Sequence, residues 1–154
     1  MAKKYCLLLA LLCLLAYPAC AGSEDAAPLV LSAHIHESLP EMTFTRSVAG
    51  TQVRDDWYPE TIYRVEITNQ DASHTPVQTL YYTSQVEMAP YGLTLVDMNF
   101  DGFLDIEAVY IIGVSNQFSI YFLWNPEQNQ FVSPYGMNGL ANYTRYPEKN
   151  LIYN

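Results

Sequence analysis

Between Asp97 and Ile106 the chain reads Asp97-Met98-Asn99-Phe100-Asp101-Gly102-Phe103-Leu104-Asp105-Ile106. Oxygen-bearing side chains recur at alternate positions, Asp97, Asn99 and Asp101, and Asp105 follows four residues on. Oxygen donors at this density suit a hard cation, and calcium takes about six to eight of them at about 2.3–2.6 Å. A tight loop supplies them from its first, third and fifth residues, from the carbonyl of the seventh, and from the ninth directly or through water. The expected ligands are therefore Asp97, Asn99, Asp101, the Phe103 carbonyl and Asp105. Gly102 permits the sharp turn, because it takes positive φ without steric cost. Magnesium holds its waters and demands near-octahedral geometry, so it suits such a loop less well. The bland alternative is an Asp/Asn-rich turn with no metal.

The type of loop follows from its flanks. A helix-flanked calcium loop closes with a bidentate Glu at position twelve. Here that position is Ala108, and Glu107 arrives one residue early. The flanks read as strands. The site is thus strand–loop–strand with few protein ligands, with an expected affinity of roughly 10⁻⁶ to 10⁻³ M. Its expected role is structural: the ion screens repulsion among the three aspartates and ties two strands together. Glu107 is expected as an outer partner of the loop.

Alternating patterns supply those strands. Leu29 to Glu37 and Glu41 to Ser47 alternate apolar and polar residues. Ile62 to Thr68 is the cleanest, with Tyr63, Val65 and Ile67 on one side and Arg64, Glu66 and Thr68 on the other. Val77 to Thr83 completes a hairpin with it. Leu93 to Val96 enters the acidic loop and Ile106 to Ile112 leaves it. The latter is apolar on both faces, as a central strand is. Phe118 to Trp124 and Gln130 to Ser133 pair across the turn Asn125–Asn129. Ala49 to Glu60 is read as turn-rich and acidic, with Trp57 and Tyr58 docking it onto the body. Beyond Pro134 the chain is read as irregular. Leu151 and Ile152 begin a strand just where the chain stops, the pattern expected of a sheet cut short at its C-terminus. No window carries a helical stripe. The expected fold is one all-β, antiparallel domain, a sandwich or partial propeller, over residues 29–154.

Residues 1–21 read as an export signal. Lys3 and Lys4 precede the apolar run Leu7 to Ala16, and Ala19-Cys20-Ala21 is a small-x-small cleavage site. The competing reading makes Cys20 an acylated lipoprotein cysteine, although Tyr17-Pro18-Ala19 lacks the Leu such a site prefers. Residues 22–28 form a small, acidic tether. The expected destination is the periplasm. Cys6, Cys13 and Cys20 all lie in the signal, so the exported chain has neither a disulfide framework nor a thiol nucleophile. Its core draws on a chain with 13 tyrosines, 6 phenylalanines and 2 tryptophans.

Loss of the signal removes Lys3 and Lys4 from the 7 basic residues and none of the 16 acidic ones, so the formal charge falls from −9 to −11. Such a surface disfavours nucleic acid and anionic membranes and suits a basic partner. Solubility alone is the plainer explanation of the charge. His34 and His36 sit two apart on an apparent strand face, where a zinc pair is conceivable, and His74 lies far off in a turn. Exposed strand histidines are the simpler reading. No nucleophile elbow or phosphate loop occurs.

The loop resembles the FG-GAP/integrin-α type of calcium loop. Together with Tyr121-Phe122-Leu123-Trp124-Asn125-Pro126 and Gln130-Phe131-Val132, it is similar to a family of short bacterial exported proteins. The resemblance covers roughly Ile62 to Ile152. Some members of that family are periplasmic immunity proteins that inhibit peptidoglycan hydrolases delivered by type IV secretion, with a β-rich fold like that of lysozyme inhibitors. The resemblance implies a non-catalytic, calcium-binding partner of such a hydrolase or of another basic envelope protein. An envelope adhesion or scaffolding module of FG-GAP type is the alternative, although a propeller needs several such loops. A metal-dependent hydrolase using His34 and His36 is a third reading.

Overall fold

The computed structural model describes residues 27–53, 59–70, 76–85, 92–134 and 140–153. The export segment, most of the 22–28 tether, Trp57, Tyr58 and His74 fall outside them. The described chain is all-β, as expected. Its one helical element is the short 310 turn Pro147–Lys149. No described helix is long and apolar enough to cross a membrane.

Four antiparallel strands form the first sheet in sequential order: β1 (Leu29–Ala33), β2 (Met42–Gln52), β3 (Glu60–Asn69) and β4 (Pro76–Ser84). The alternation in β3 does what period-two patterning demands. Tyr63, Val65 and Ile67 are buried, while Arg64, Glu66 and Thr68 stand half-exposed on the other face. Phe44 and Val65 are fully buried, and each such side chain contributes about 2 kcal/mol through lost apolar exposure. One boundary differs from the sequence reading. β2 continues past Ser47 to Gln52, where a turn-rich stretch is expected, through a register shift between Val48 and Gly50. An irregularity of this kind lets a strand run on through a residue that breaks its pattern.

The second sheet holds β5 (Thr94–Val96), β6 (Asp105–Ile112), β7 (Gln117–Asn125) and β8 (Gln130–Val132), with β9 (Leu140–Ala141) also paired to β7. Its inner face presents Ile106, Ala108, Phe122, Trp124 and Phe131 to the core shared with the first sheet. Phe131 meets Phe44 edge-on at 5.9 Å between ring centroids and Trp124 at 5.0 Å, which locks the two sheets together through aromatic contacts. The amide of Gln78 on β4 adds a polar link. Its Nε2 donates to the Phe131 carbonyl (2.8 Å), and its Oε1 accepts the Phe131 N–H (2.9 Å).

The outer face of the second sheet is covered as well, which accounts for β6 being apolar on both sides. Tyr121 is fully buried there and Ser119 is 2 % exposed. Part of the cover is the C-terminal stretch, where the sequence suggests irregular chain. It contains β9, then β10 (Thr144–Tyr146) and β11 (Leu151–Tyr153), paired as a small hairpin of their own. Between β9 and β10, Tyr143 lays its ring edge-on to Tyr121 at 5.9 Å and donates its hydroxyl to Glu107 (2.8 Å).

Candidate metal centre

The acidic loop joins β5 to β6, two strands paired through Val96 and Asp105. The chain must therefore reverse over eight residues, and it does so with two left-handed residues. Gly102 has φ 91°, as its place in the motif requires. Phe100 has φ 61°, a costly conformation for a bulky L-residue and one that the spacing does not announce. Side chains of the loop hold the backbone in place. Asp97 accepts the N–H of Asp101 on Oδ1 and that of Gly102 on Oδ2, both at 3.1 Å. Asn99 Oδ1 also faces the Asp101 N–H (3.3 Å), and its Nδ2 donates to Asp101 Oδ2 (2.8 Å). Asp101 Oδ1 accepts the Phe103 N–H (2.9 Å).

Asp97, Asn99 and Asp101 are thus gathered by the turn, with oxygens turned onto its own amides. The Phe103 N–H closes the same network, while its ring lies over His36 at 4.3 Å. The loop is further tied down by Leu104 N–H to the Ile35 carbonyl (2.8 Å) and by the Arg145 guanidinium on the Asp97 carbonyl. This last contact spans 48 residues, and no local spacing signals it.

Asp105 behaves differently from its companions. It is fully buried, and its two oxygens accept main-chain N–H groups from opposite sides, Met98 on Oδ2 and Trp124 on Oδ1, each at 2.8 Å. The β6–β7 pairing ends at Ile106 opposite Phe122, so the Asp105 carboxylate serves Trp124 where the next strand residue would have done so. Burial, with a smaller push from the nearby Asp101 and Asp97 carboxylates, raises this carboxyl to about 6 against the pull of the two N–H donors.

Whether these groups suit calcium turns on the donor set. It is oxygen only. A carboxylate oxygen that accepts one hydrogen bond retains a further lone pair, and the Phe103 carbonyl adds a neutral donor. That chemistry fits a hard cation. Among the described residues, however, no three His, Cys, Asp or Glu side chains converge as a ready-made metal cage. A loop of this kind relies on an amide and a carbonyl for part of its shell.

The other sequence candidates fall elsewhere. His34 and His36 lie beyond the end of β1 and serve local turns: Nδ1 of His34 pairs with the Leu39 carbonyl (3.1 Å), and Nδ1 of His36 with the Ser38 hydroxyl (2.7 Å). Glu107 is not a partner of the loop. It faces the outer side of the second sheet and accepts from Ser119 (2.7 Å), Tyr143 (2.8 Å) and Thr94 (3.2 Å). The period-two rule accounts for its direction, since β6 sends residue 107 away from the core that Ile106 and Ala108 enter. Burial, and then this carboxylate, raise the hydroxyl pKa values of both neighbouring tyrosines, Tyr121 to about 12, and Tyr143 is raised as well. Comparison of the chain with protein-family models, with curated proteins and with solved structures returns no match.

Proposed function

We propose that this chain is a non-catalytic, calcium-braced β-domain of the periplasm that binds and inhibits a peptidoglycan hydrolase. The calcium part is carried by one observation: the β5–β6 loop turns Asp97, Asn99 and Asp101 into a single oxygen-rich network beside the buried Asp105. Asp97, Asn99, Asp101 and the Phe103 carbonyl would hold the ion, with Asp105 contributing directly or through a water. The ion would supply positive charge beside the loop's carboxylates, and so fasten β5 to β6. The export signal at residues 1–21 supports the location. The family resemblance and the formal charge of −9, which falls to −11 without the signal, support a basic enzyme as partner.

Two experiments test the proposal separately. A ligand that binds only the folded state stabilises it by about 2.7 kcal/mol at a hundred times its Kd. Saturating calcium should therefore raise the melting temperature of the wild-type protein, and Asp101→Ala should remove the rise. A melting temperature indifferent to calcium rejects the brace. For the partner, the tagged protein is mixed with purified peptidoglycan hydrolases, and lysis of cell-wall suspensions is followed by turbidity. Protection against at least one of them is expected, and undiminished lysis by all of them rejects the inhibitor.

A further inference from the structure

The first sheet ends differently on its two sides. Its β4 edge is stitched to the second sheet near both ends, by the Gln78 amide on Phe131 and by Ser84, whose hydroxyl donates to the Val109 carbonyl at 2.9 Å. On the opposite side, among the described residues, β1 pairs with β2 alone, in unbroken register from Leu29 opposite Arg46 to Ala33 opposite Met42. Sheet edges are commonly blunted by a charged residue, a proline or a bulge. Leu29-Val30-Leu31-Ser32-Ala33 holds none of these. Its side chains alternate with the pleat. Leu29 and Leu31 pack against the core cluster yet stay half-buried, while Val30 on the other face is 54 % exposed. The apolar core thus runs out to this edge and stops there half covered. An extended guest lying along β1 would continue the main-chain ladder, and every second side chain of it would cover Leu29 and Leu31.

We propose that the β1 edge accepts an extended segment of a basic polypeptide, with apolar residues at alternate positions and lysine or arginine at its ends. What flanks the strand sets the charge. Glu24 and Asp25 precede β1 in the sequence, and the exposed Glu37 follows it. Arg46, the one cation paired opposite β1, is turned into the core and buried. A segment with basic ends therefore meets acid at both, and the formal charge of −9 on the whole chain steers it in. A second copy of this chain fits poorly. Antiparallel pairing of β1 with its own copy sets Glu37 of each against the acidic run that precedes β1 in the other, and like charges facing one another destabilise such a pair. The inference stands apart from the calcium loop and from inhibition of a hydrolase.

The probe is an end-blocked peptide of alternating valine and threonine with two lysines at each end. Amide hydrogen exchange of the protein is followed with and without it, and slowed exchange is expected in Leu29–Ala33. The same peptide with glutamate for lysine should not bind, and about 0.5 M salt should weaken the lysine peptide. An analogue with two adjacent N-methylated residues at its centre, which spoils both of its edges, should bind at least about tenfold more weakly, or about 1.4 kcal/mol. Leu31→Lys sets a charge on the inner side of the edge and should weaken binding as much. If that variant fails to fold, the N-methylated analogue decides. A lysine peptide that slows no β1 amide at millimolar concentration overturns the proposal. Equal binding of the N-methylated analogue overturns main-chain pairing, and equal binding of the glutamate peptide overturns the basic partner. A chain that sediments as a dimer, and that Leu31→Lys returns to a monomer, assigns the edge to a second copy and overturns it as well.

Discussion

Two buried carboxylates, Asp105 at the start of β6 and Glu60 of β3 beside its far end, are treated by the fold in opposite ways. At the start of β6, Asp105 is pushed up to about 6 by its burial. Near the strand's far end, Tyr110 reaches across to Glu60 on β3 with a 2.7 Å hydrogen bond, and Gln52 donates to the other oxygen at 2.9 Å. These donors hold Glu60 below its usual range. Glu60 is 5 % exposed and Asp105 is fully enclosed, so both have lost most of their water. Each has a donor on both oxygens. The difference lies in depth and in neighbours: Asp105 has Asp97 and Asp101 beside it, while the groups named around Glu60 are neutral donors. Hydrogen bonds alone do not fix the charge state of a buried acid; for Asp105 the loss of water outweighs its two donors, and the neighbouring charge adds to it. One end of β6 thus holds an acid that favours its charged form, and the other an acid that favours its neutral form.

The largest break in this comparison should come from Asp105→Ala. It strands the buried N–H groups of Met98 and Trp124 together, and each unsatisfied group costs about 1–3 kcal/mol. A loss of roughly 3–5 kcal/mol is expected by urea denaturation, and a loss under 1 kcal/mol would deny the clasp.

The next effect is that of pH. With its folded pKa raised from 3.8 to about 6, Asp105 favours the fold in its neutral form. That contribution is complete below about pH 4 and disappears as pH rises through about 6, on the order of 2 kcal/mol without calcium. Glu60 has the opposite sign: its lowered pKa stabilises the fold above about 4.5, and the gain vanishes as pH falls. Urea midpoints in chelator should separate the two, because Asp105→Asn removes only the loss near pH 6.

Tyr110→Phe deletes the first donor to Glu60 and should cost about 1 kcal/mol near pH 7, with a smaller cost at pH 4. A cost that does not change with pH would show that the ring, and not the hydroxyl, matters. The smallest effect belongs on the open face of the first sheet. Arg64→Ala breaks a 3.7 Å ion pair with Glu66 between side chains 42 % and 33 % exposed, and should change stability by less than about 0.5 kcal/mol.

The sequence carries the local part of this picture. Tyr63, Val65 and Ile67 reveal β3 because a half-buried strand repeats every two residues, and the doubly apolar run of β6 reveals a strand covered on both sides. The loop at Asp97–Asp105 is legible because its donors are neighbours in the chain. What stays hidden is what distant segments contribute. Tyr143 reaches Glu107 across 36 residues and Arg145 reaches Asp97 across 48, and neither leaves a periodic trace. The direction of Glu107 could have been read from the pleat, since residues 106 and 108 already claim the core. The unusual backbone at Phe100 could not, because nothing in its residue type asks for it.

The side-chain amide of Gln78 has one more consequence. β8 is three residues long and, among the described residues, pairs with β7 alone, so its other margin is a template on which a foreign chain could add itself. At Phe131, Gln78 occupies the two hydrogen-bonding positions that an added strand would need. A single glutamine thus fills, at Phe131, the main-chain positions that strand addition at this margin requires.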